Sequence, residues 1–435
     1  MLVVTANWNI TDGTLWRRPL QGLAARAWGT IQRAALRAGF RQDGHYEPID
    51  RLDIVFAGDT CDLLSSRCWI ERDLRPWNRS TRVAALRRQV ARAALRRAAP
   101  LLRRTRDLLA QRLPLPAATA LGRPHPQQQI RVPVTVTLLA GDRDSFLEAA
   151  VPGWKQVHWA ERWEGNGWQI EHGQRFDLLS QQHRDQPNPG PSFSQSVAVG
   201  LVARFAQMAE TGNGKAAAVP SSGLRLLANS HPLGLPDLFW HRLLPHAAAC
   251  GQQQAQRLAD TWKKAVAAWH REAVCNQIEV ASQFDFVGRF AESLTAPGNG
   301  NEASRLLADL CGSAKTNKDG TALPALQGLL LGHPNKTIQA ASWGPVASGH
   351  CLGQPLQTHA STGLVQGETV DVKLVEPALQ TLRPASPRGL AVIGDVTSGR
   401  VERLDFSTRS PAVAWQPSLP AADWSAPLHQ ASEAA

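Results

Sequence analysis

The stretch Leu52-Asp53-Ile54-Val55-Phe56-Ala57-Gly58-Asp59-Thr60-Cys61-Asp62 decides the fold. A short apolar run enters a glycine, and the glycine opens a turn that carries two carboxylates. Such a run, rich in Val, Leu and Ile and bounded by Gly or Asp, reads as a buried strand. The same form recurs on both sides. Leu2 to Ala6 leads into Asn7-Trp8-Asn9, and Val132 to Ala140 into Gly141-Asp142-Arg143-Asp144. Trp168 to Ile170 leads into Glu171-His172-Gly173, and Leu326 to Leu331 into Gly332-His333-Pro334-Asn335. Helical patterns separate most of these runs, which predicts α/β layering. In such sheets ligands sit beyond the carboxyl ends of the strands, where every polar cluster falls.

A chain of 435 residues suits one large α/β domain with an insertion, or two domains. Hydrophobic content of 43% against 19% charged is that of a folded protein and excludes wholesale disorder. No apolar run approaches the roughly 20 residues needed to cross a bilayer. Met1 passes directly into Leu2-Val3-Val4, so no secretory leader and no membrane partner are expected. The six cysteines form no CxxC pair and no dense framework, and read as reduced thiols of a cytoplasmic protein.

The charge of +11 is concentrated. Between Arg79 and Arg112 there are eleven arginines and a single acid, Asp107. Leu86, Val90, Leu95, Leu101, Leu102, Leu108 and Leu109 recur there at roughly helical spacing, predicting a helix kinked or broken at Pro100. Its arginines suit a polyanion such as nucleic acid, a protein partner, or a plain solvated face. Leu113 to Pro133, rich in Pro and Gln, reads as a loop.

Further helices are expected at Val197 to Glu210, Asp237 to Ala249, Gln252 to Cys275 and Ala303 to Cys311. Strand character returns at Leu356 to Leu364, Gly389 to Ile393 and Val401 to Phe406. The expected organisation is a core from 1–182 and 322–410, an α-helical insertion at 183–321, and a disordered tail at 411–435. Trp154, Trp159, Trp163 and Trp168 fit a hairpin packed on the core better than a base-stacking platform. Gly212-Asn213-Gly214-Lys215 lacks the upstream glycine and preceding strand of a P-loop.

The five strand-end clusters, in order, resemble the calcineurin-like metallophosphoesterases, which carry DxH, GDxxD, GNHD, a lone His and GHxH at successive strand ends. The resemblance implies a metallophosphoesterase-type layered β-sandwich flanked by helices. It also implies a hydrolase site in which two cations about 3.5–4 Å apart clamp phosphoryl oxygens and activate a bridging water. The chain departs from that pattern in a structured way. The first metal's positions fall on Asn7, Asn9, Asp59 and Asn335, so all three unshared ligands have become asparagine. The second metal's positions fall on Asp59, Asp142, His172 and His333, and that set is complete.

The resemblance therefore implies metal binding by one divalent cation (Mn, Fe or Zn) and the loss of the second. Without any cation, Asp59 would pair with Arg143 or the histidines in a hydrogen-bonded cluster. Arg143 replaces the family's leaving-group histidine; it cannot shuttle a proton but can grip a phosphate. A plain ion pair is the alternative for that arginine. Asp62 and Asp144 match positions that orient loops and ligands. The leading functional expectation is a pseudoenzyme that binds a phosphorylated small molecule or a protein partner. The rivals are an active single-metal phosphoesterase and a scaffold subunit docking through the arginine-rich helix.

Overall fold

The computed structural model describes residues 1–298, apart from 7, 17–20, 42, 149–156, 166–167, 173, 175–178, 181–189, 212–220, 229, 231, 277 and 279–284. It also describes 328–331, 346–348, 390–395 and 400–405. Alternation along the first strands sets up the layers. In β1 (Leu2–Ala6), Val3 faces one side while Leu2 and Val4 face the other. In β2 (Leu52–Ala57), Leu52, Ile54 and Phe56 share the side of Val3, and Val55 and Ala57 that of Val4. Both faces of β2 are buried, which is why it reads as a continuous apolar run.

The helices α1 (Gln21–Ala38), α2 (Arg67–Glu71) and α3 (Thr81–Gln111) follow these first strands. Ala27, Trp28 and Ile31 of α1, with Leu86, Val90 and Leu101 of α3, join Val3, Ile54 and Phe56 in one core. Each such large side chain, buried rather than exposed, is worth about 1.5–3 kcal/mol, so this face commits the helices to the sheet. Ser80 caps α3, its hydroxyl accepting from the Val83 N–H at 3.2 Å. The helix runs unbroken through Pro100 and stops where Arg112 takes a φ of 62°. The expected break at Pro100 does not occur. Packing of Ala94, Ala98, Leu101 and Leu102 into the core holds the helix on both sides of the proline.

The expected loop at Leu113 to Pro133 is also corrected. It is a two-stranded antiparallel ribbon, β3 (Leu113–Ala118) and β4 (Pro124–Val132), with a register shift between Pro116 and Ala118. Pro114 and Pro116 are two residues apart and place their missing N–H groups on one edge, which a ribbon tolerates. Leu113, Leu115 and Val132 are buried in the helix-facing core, and the Tyr46 hydroxyl donates to the Pro116 carbonyl at 2.9 Å.

Three more strands complete the first half: β5 (Val134–Leu139), β6 (Val157–Ala160) and β7 (Arg162–Gly165), followed by β8 (Trp168–Glu171). The later strands are β9 (Gly328–Leu331), β10 (Val346–Ser348), β11 (Leu390–Asp395) and β12 (Arg400–Asp405). Among the described residues one sheet has six strands in the order β12-β11-β1-β2-β5-β6, and a second has four, β10-β9-β8-β7. From β1 to β6 the first sheet is parallel, and β11 and β12 close it in antiparallel fashion. Leu2, Val4, Val55, Ala57 and Leu139 of the first sheet meet Ile170 and Trp163 of the second. The protein is thus mixed α/β, with sheets packed on one face and helices on the other.

Between the two halves the described chain is helical: α4 (Phe193–Ser196), α5 (Arg204–Thr211), α6 (Ser221–Ala228), α7 (Leu235–Leu238), α8 (Leu244–Cys250), α9 (Gln252–Cys275) and α10 (Phe286–Thr295). A π-helical stretch, Val197–Ala203, joins α4 to α5, and another, Phe239–Leu243, joins α7 to α8. These helices share their own core, where Phe239 stacks on Trp262 with ring centres 4.3 Å apart. The indoles of Trp240 and Trp262 both donate to the Leu294 carbonyl, satisfying an acceptor at the end of α10. Glu272 of α9 bridges Arg75 and Arg204 and ties this lobe to the segment after α2.

The β7–β8 hairpin carries Trp163 and Trp168, but Trp159, expected in the same hairpin, belongs to β6 of the first sheet, and Trp154 lies outside the described residues. So do the expected helix at Ala303 to Cys311, the expected strand at Leu356 to Leu364, Gly212-Asn213-Gly214-Lys215 and the tail at 411–435. Cys61, Cys68, Cys250 and Cys275 form no disulfide among the described residues. No helix among them is long and apolar enough to cross a membrane.

Candidate metal centre

The loops after β1 and β2 are stitched together. Asn9 N–H donates to the Asp59 carbonyl at 2.9 Å, and Asp62 N–H to the Ile10 carbonyl at 3.0 Å. Asn9 and Asp59 take φ values of 48° and 50°, a left-handed conformation that Asn and Asp adopt more readily than most residues. Each turn ends a parallel strand, and so delivers its polar side chains to one edge of the sheet.

Two glycines make the turns possible. Gly58 has a φ of 83°, and a Cβ there would lie 2.2 Å from His172 Nδ1. A Cβ on Gly141 would lie 2.1 Å from the Asp59 carboxylate and 2.5 Å from its backbone nitrogen. Glycine lets the backbone approach the functional side chains at both places.

Ligand atoms of Asp59, Asp142 and His172 all lie within 4.8 Å of one another. His172 Nδ1 is 3.0 Å from the Ala57 carbonyl, an acceptor, so this nitrogen carries hydrogen. Nε2 then faces Asp142 Oδ1 at 3.1 Å and Asp59 Oδ2 at 3.5 Å. That orientation is the one a metal-binding imidazole needs: one N–H fixed on a carbonyl, the other nitrogen aimed at the carboxylates. The buried trio could hold a metal ion.

Arg143 completes the cluster from the other side. Its Nη1 donates to Asp62 Oδ2 at 3.1 Å, its Nε lies 3.7 Å from Asp59 Oδ2, and its backbone N–H donates to Asp59 Oδ1 at 3.1 Å. Asp144 is tied to the loops, accepting from Gly141 N–H at 2.7 Å and Cys61 N–H at 3.3 Å.

Burial alone would lower the His172 pKa, but the Asp59 and Asp142 carboxylates overcome it and hold the imidazolium well above its usual range. Burial, reinforced by Asp59, pushes Asp144 up to about 7 against its two backbone donors and His172. Burial also raises Asp62, though Arg143 and Ser65 oppose it. Burial likewise works against the Arg143 charge, yet Asp62, Asp59 and Asp142 raise its pKa further.

A cleft opens on Asp59, Asp142 and Arg143 and is walled by Val197, Val202 and Leu235 from the helical lobe. Its cavity volume is about 30 Å³, room for roughly two waters. Gln195 fixes that wall. Its Oε1 accepts from Ser192 N–H at 3.2 Å in a capping box, while its Nε2 donates to the Asp142 carbonyl at 3.2 Å.

Of the expected site residues, Asp59, Asp142 and His172 converge as potential ligands, and Arg143, Asp62 and Asp144 surround them. Asn9 joins through its backbone. Asn7, His333 and Asn335 lie outside the described residues. β9 runs parallel to β8 with Leu331 opposite Glu171, so the carboxyl ends of both strands lie side by side. The sequence reading missed Gln195, although Ser192-Phe193-Ser194-Gln195 is a legible capping box. It also missed the Arg143–Asp62 pair, which no spacing reveals. In comparison with known proteins, the chain matches no family model, no curated protein and no solved structure.

Proposed function

We propose that the chain is a degenerate calcineurin-like metallophosphoesterase, a pseudoenzyme that binds a phosphorylated ligand beside one divalent cation. The convergence of Asp59, Asp142 and His172 within 4.8 Å, beyond the carboxyl ends of β2, β5 and β8, carries this reading. Two carboxylates and an imidazole, with His333 as the expected fourth ligand, suit Mn, Fe or Zn. When bound, such a cation acts as a Lewis acid towards a phosphoryl oxygen.

Arg143 lines the cleft and, among the described residues, gives one guanidinium hydrogen bond to Asp62 and pairs its Nε with Asp59, so the rest of its planar fork can orient a phosphate. It holds its proton at any working pH and cannot pass one to a leaving group. Asp144 has the pKa for proton transfer, but its oxygens are spent on the Gly141 and Cys61 N–H groups. The cluster is therefore better equipped to hold phosphate than to cleave its ester.

Metal analysis of the purified full chain after Mn or Zn loading tests the first half; one equivalent is expected, and none for His172→Ala. Two equivalents would restore a binuclear site, and zero would leave a hydrogen-bonded cluster only. Calorimetric titration with inorganic phosphate tests the second half. Binding should require the metal and weaken about tenfold in Arg143→Lys, which keeps the charge but loses the fork. Hydrolysis of a generic phosphoester by the wild type, abolished in His172→Ala, would replace the pseudoenzyme with an active single-metal phosphoesterase.

A further inference from the structure

The arginines of α3 divide into those the fold uses and those it does not. Arg87 is half-buried, donating to the Pro76 carbonyl at 2.6 Å with its guanidinium 5.7 Å from the Phe146 ring centre. Arg97 is half-buried with its guanidinium packed over Gly13. Arg82, Arg88, Arg92, Arg96, Arg103, Arg104 and Arg106 are exposed instead. Among the described residues only Arg106 of these meets an acid, Asp107 at 3.9 Å, and that pair is largely in water.

Five of them line up. Arg88, Arg92 and Arg96 are spaced by four residues, and Arg103 and Arg106 continue the same face. By ideal winding they fall within an arc of about 80° along about 27 Å of helix. Like charges at this spacing repel, so such a stripe weakens its own helix unless an anion answers it. An ordinary solvated face mixes signs. This one does not: the segment 79–112 carries eleven arginines against one acid, a net +10 of the chain's +11.

We infer that the outer face of α3 is a docking strip for the phosphate backbone of double-stranded nucleic acid. A guanidinium fork matches a phosphate, and Arg88, Arg92 and Arg96, about 6 Å apart, can follow successive phosphates of one strand, with Arg103 and Arg106 about 10 and 15 Å beyond Arg96. Single strands are held on exposed aromatic rings. The exposed large apolar side chains among the described residues are Leu121, Ile130 and Val274, none of them aromatic and none on α3. An acidic protein surface would need an apolar centre on the strip to anchor it. The exposed positions between the arginines hold Ala85 and Gln89, while the leucines and valines of α3 are buried or half-buried.

The test is anisotropy of a labelled mixed-sequence duplex of about 20 base pairs with the full chain. Five phosphate contacts predict about a 500-fold fall in affinity between about 50 and 200 mM salt. The variant Arg88→Gln/Arg92→Gln/Arg96→Gln/Arg103→Gln/Arg106→Gln should bind the duplex at least about tenfold more weakly and with a salt slope flatter by about 4. All five side chains are exposed, so the variant should keep the metal content and melting temperature of the wild type; this separates the strip from the metal centre. Unchanged duplex binding in the variant, or a salt slope near zero, overturns the proposal. Tighter binding of polyglutamate than of duplex at the same salt would give the strip to an acidic protein instead.

Discussion

The strand-end cluster and the outer face of α3 are both charged, and they follow opposite rules. At the cluster, Asp59, Asp62 and Asp144 are almost wholly buried, and their carboxylates meet Arg143, His172 or backbone N–H groups. On α3, seven exposed arginines stand together with one acid within reach of one of them. Burial enforces pairing because an unpaired charge in a low dielectric costs several kcal/mol; water removes that requirement. What each region can bind follows from its surplus. The cluster gathers two carboxylates and an imidazole that could hold a metal ion, and the stripe carries a surplus of positive charge.

The comparison predicts large effects at the cluster and small ones on the stripe. Gly141→Ala should be the most damaging. Its methyl group meets the Asp59 backbone, which has no room to yield, so the cost should be about 3 kcal/mol, with loss of metal binding. Denaturant unfolding and metal analysis read the two effects. A tolerant Gly141→Ala would show that the turn is softer than its geometry implies.

The next effect is pH-dependent. The raised Asp144 stays protonated in the folded chain while its unfolded counterpart ionises, so metal-free stability should fall from about pH 4 to about pH 7. The raised His172 acts in the same sense: its contribution is full below the unfolded pKa of about 6.5 and is lost as pH rises through its higher folded pKa. A metal must displace the His172 proton, so the rise in melting temperature on adding Mn should be larger at pH 8 than at pH 6. Equal rises would mean the imidazole is not a ligand.

Smallest should be the stability change on neutralising the α3 stripe. The five-fold glutamine variant should stay within about 0.5 kcal/mol of wild type and, at low salt, lie on the stable side because helical repulsion is relieved. A marked loss would show that the arginines serve the fold after all.

Much of the sheet was legible because buried parallel strands write themselves as short apolar runs, as Leu52 to Ala57 does. The turns beyond them were legible too, since Gly58 and Asp59 or Gly141 and Asp142 combine backbone freedom with ligand chemistry. The ribbon at Leu113–Ala118 was not, because Pro114 and Pro116 suggest a loop until a partner strand supplies Arg131 and Gln129 opposite them. Of the kink or break that Pro100 suggests, the break does not occur, its local penalty outweighed by core packing on either side. The Gln195 contact with Asp142 joins residues more than fifty apart, and only the folded chain brings them together.

The antiparallel closure of the first sheet ties Leu2 of β1 to Gly394 of β11. During synthesis β1 can pair with β2 early, through local chain, but its other edge must wait until Leu390 to Gly394 of β11 are made. Until then that edge offers open hydrogen-bonding groups to any passing strand, while the helical lobe, with its own core, can already consolidate. The last strands thus act as a latch. A ribosome-stalled chain ending before Leu390 should collapse its helices yet aggregate through β1, and adding the latch should rescue it.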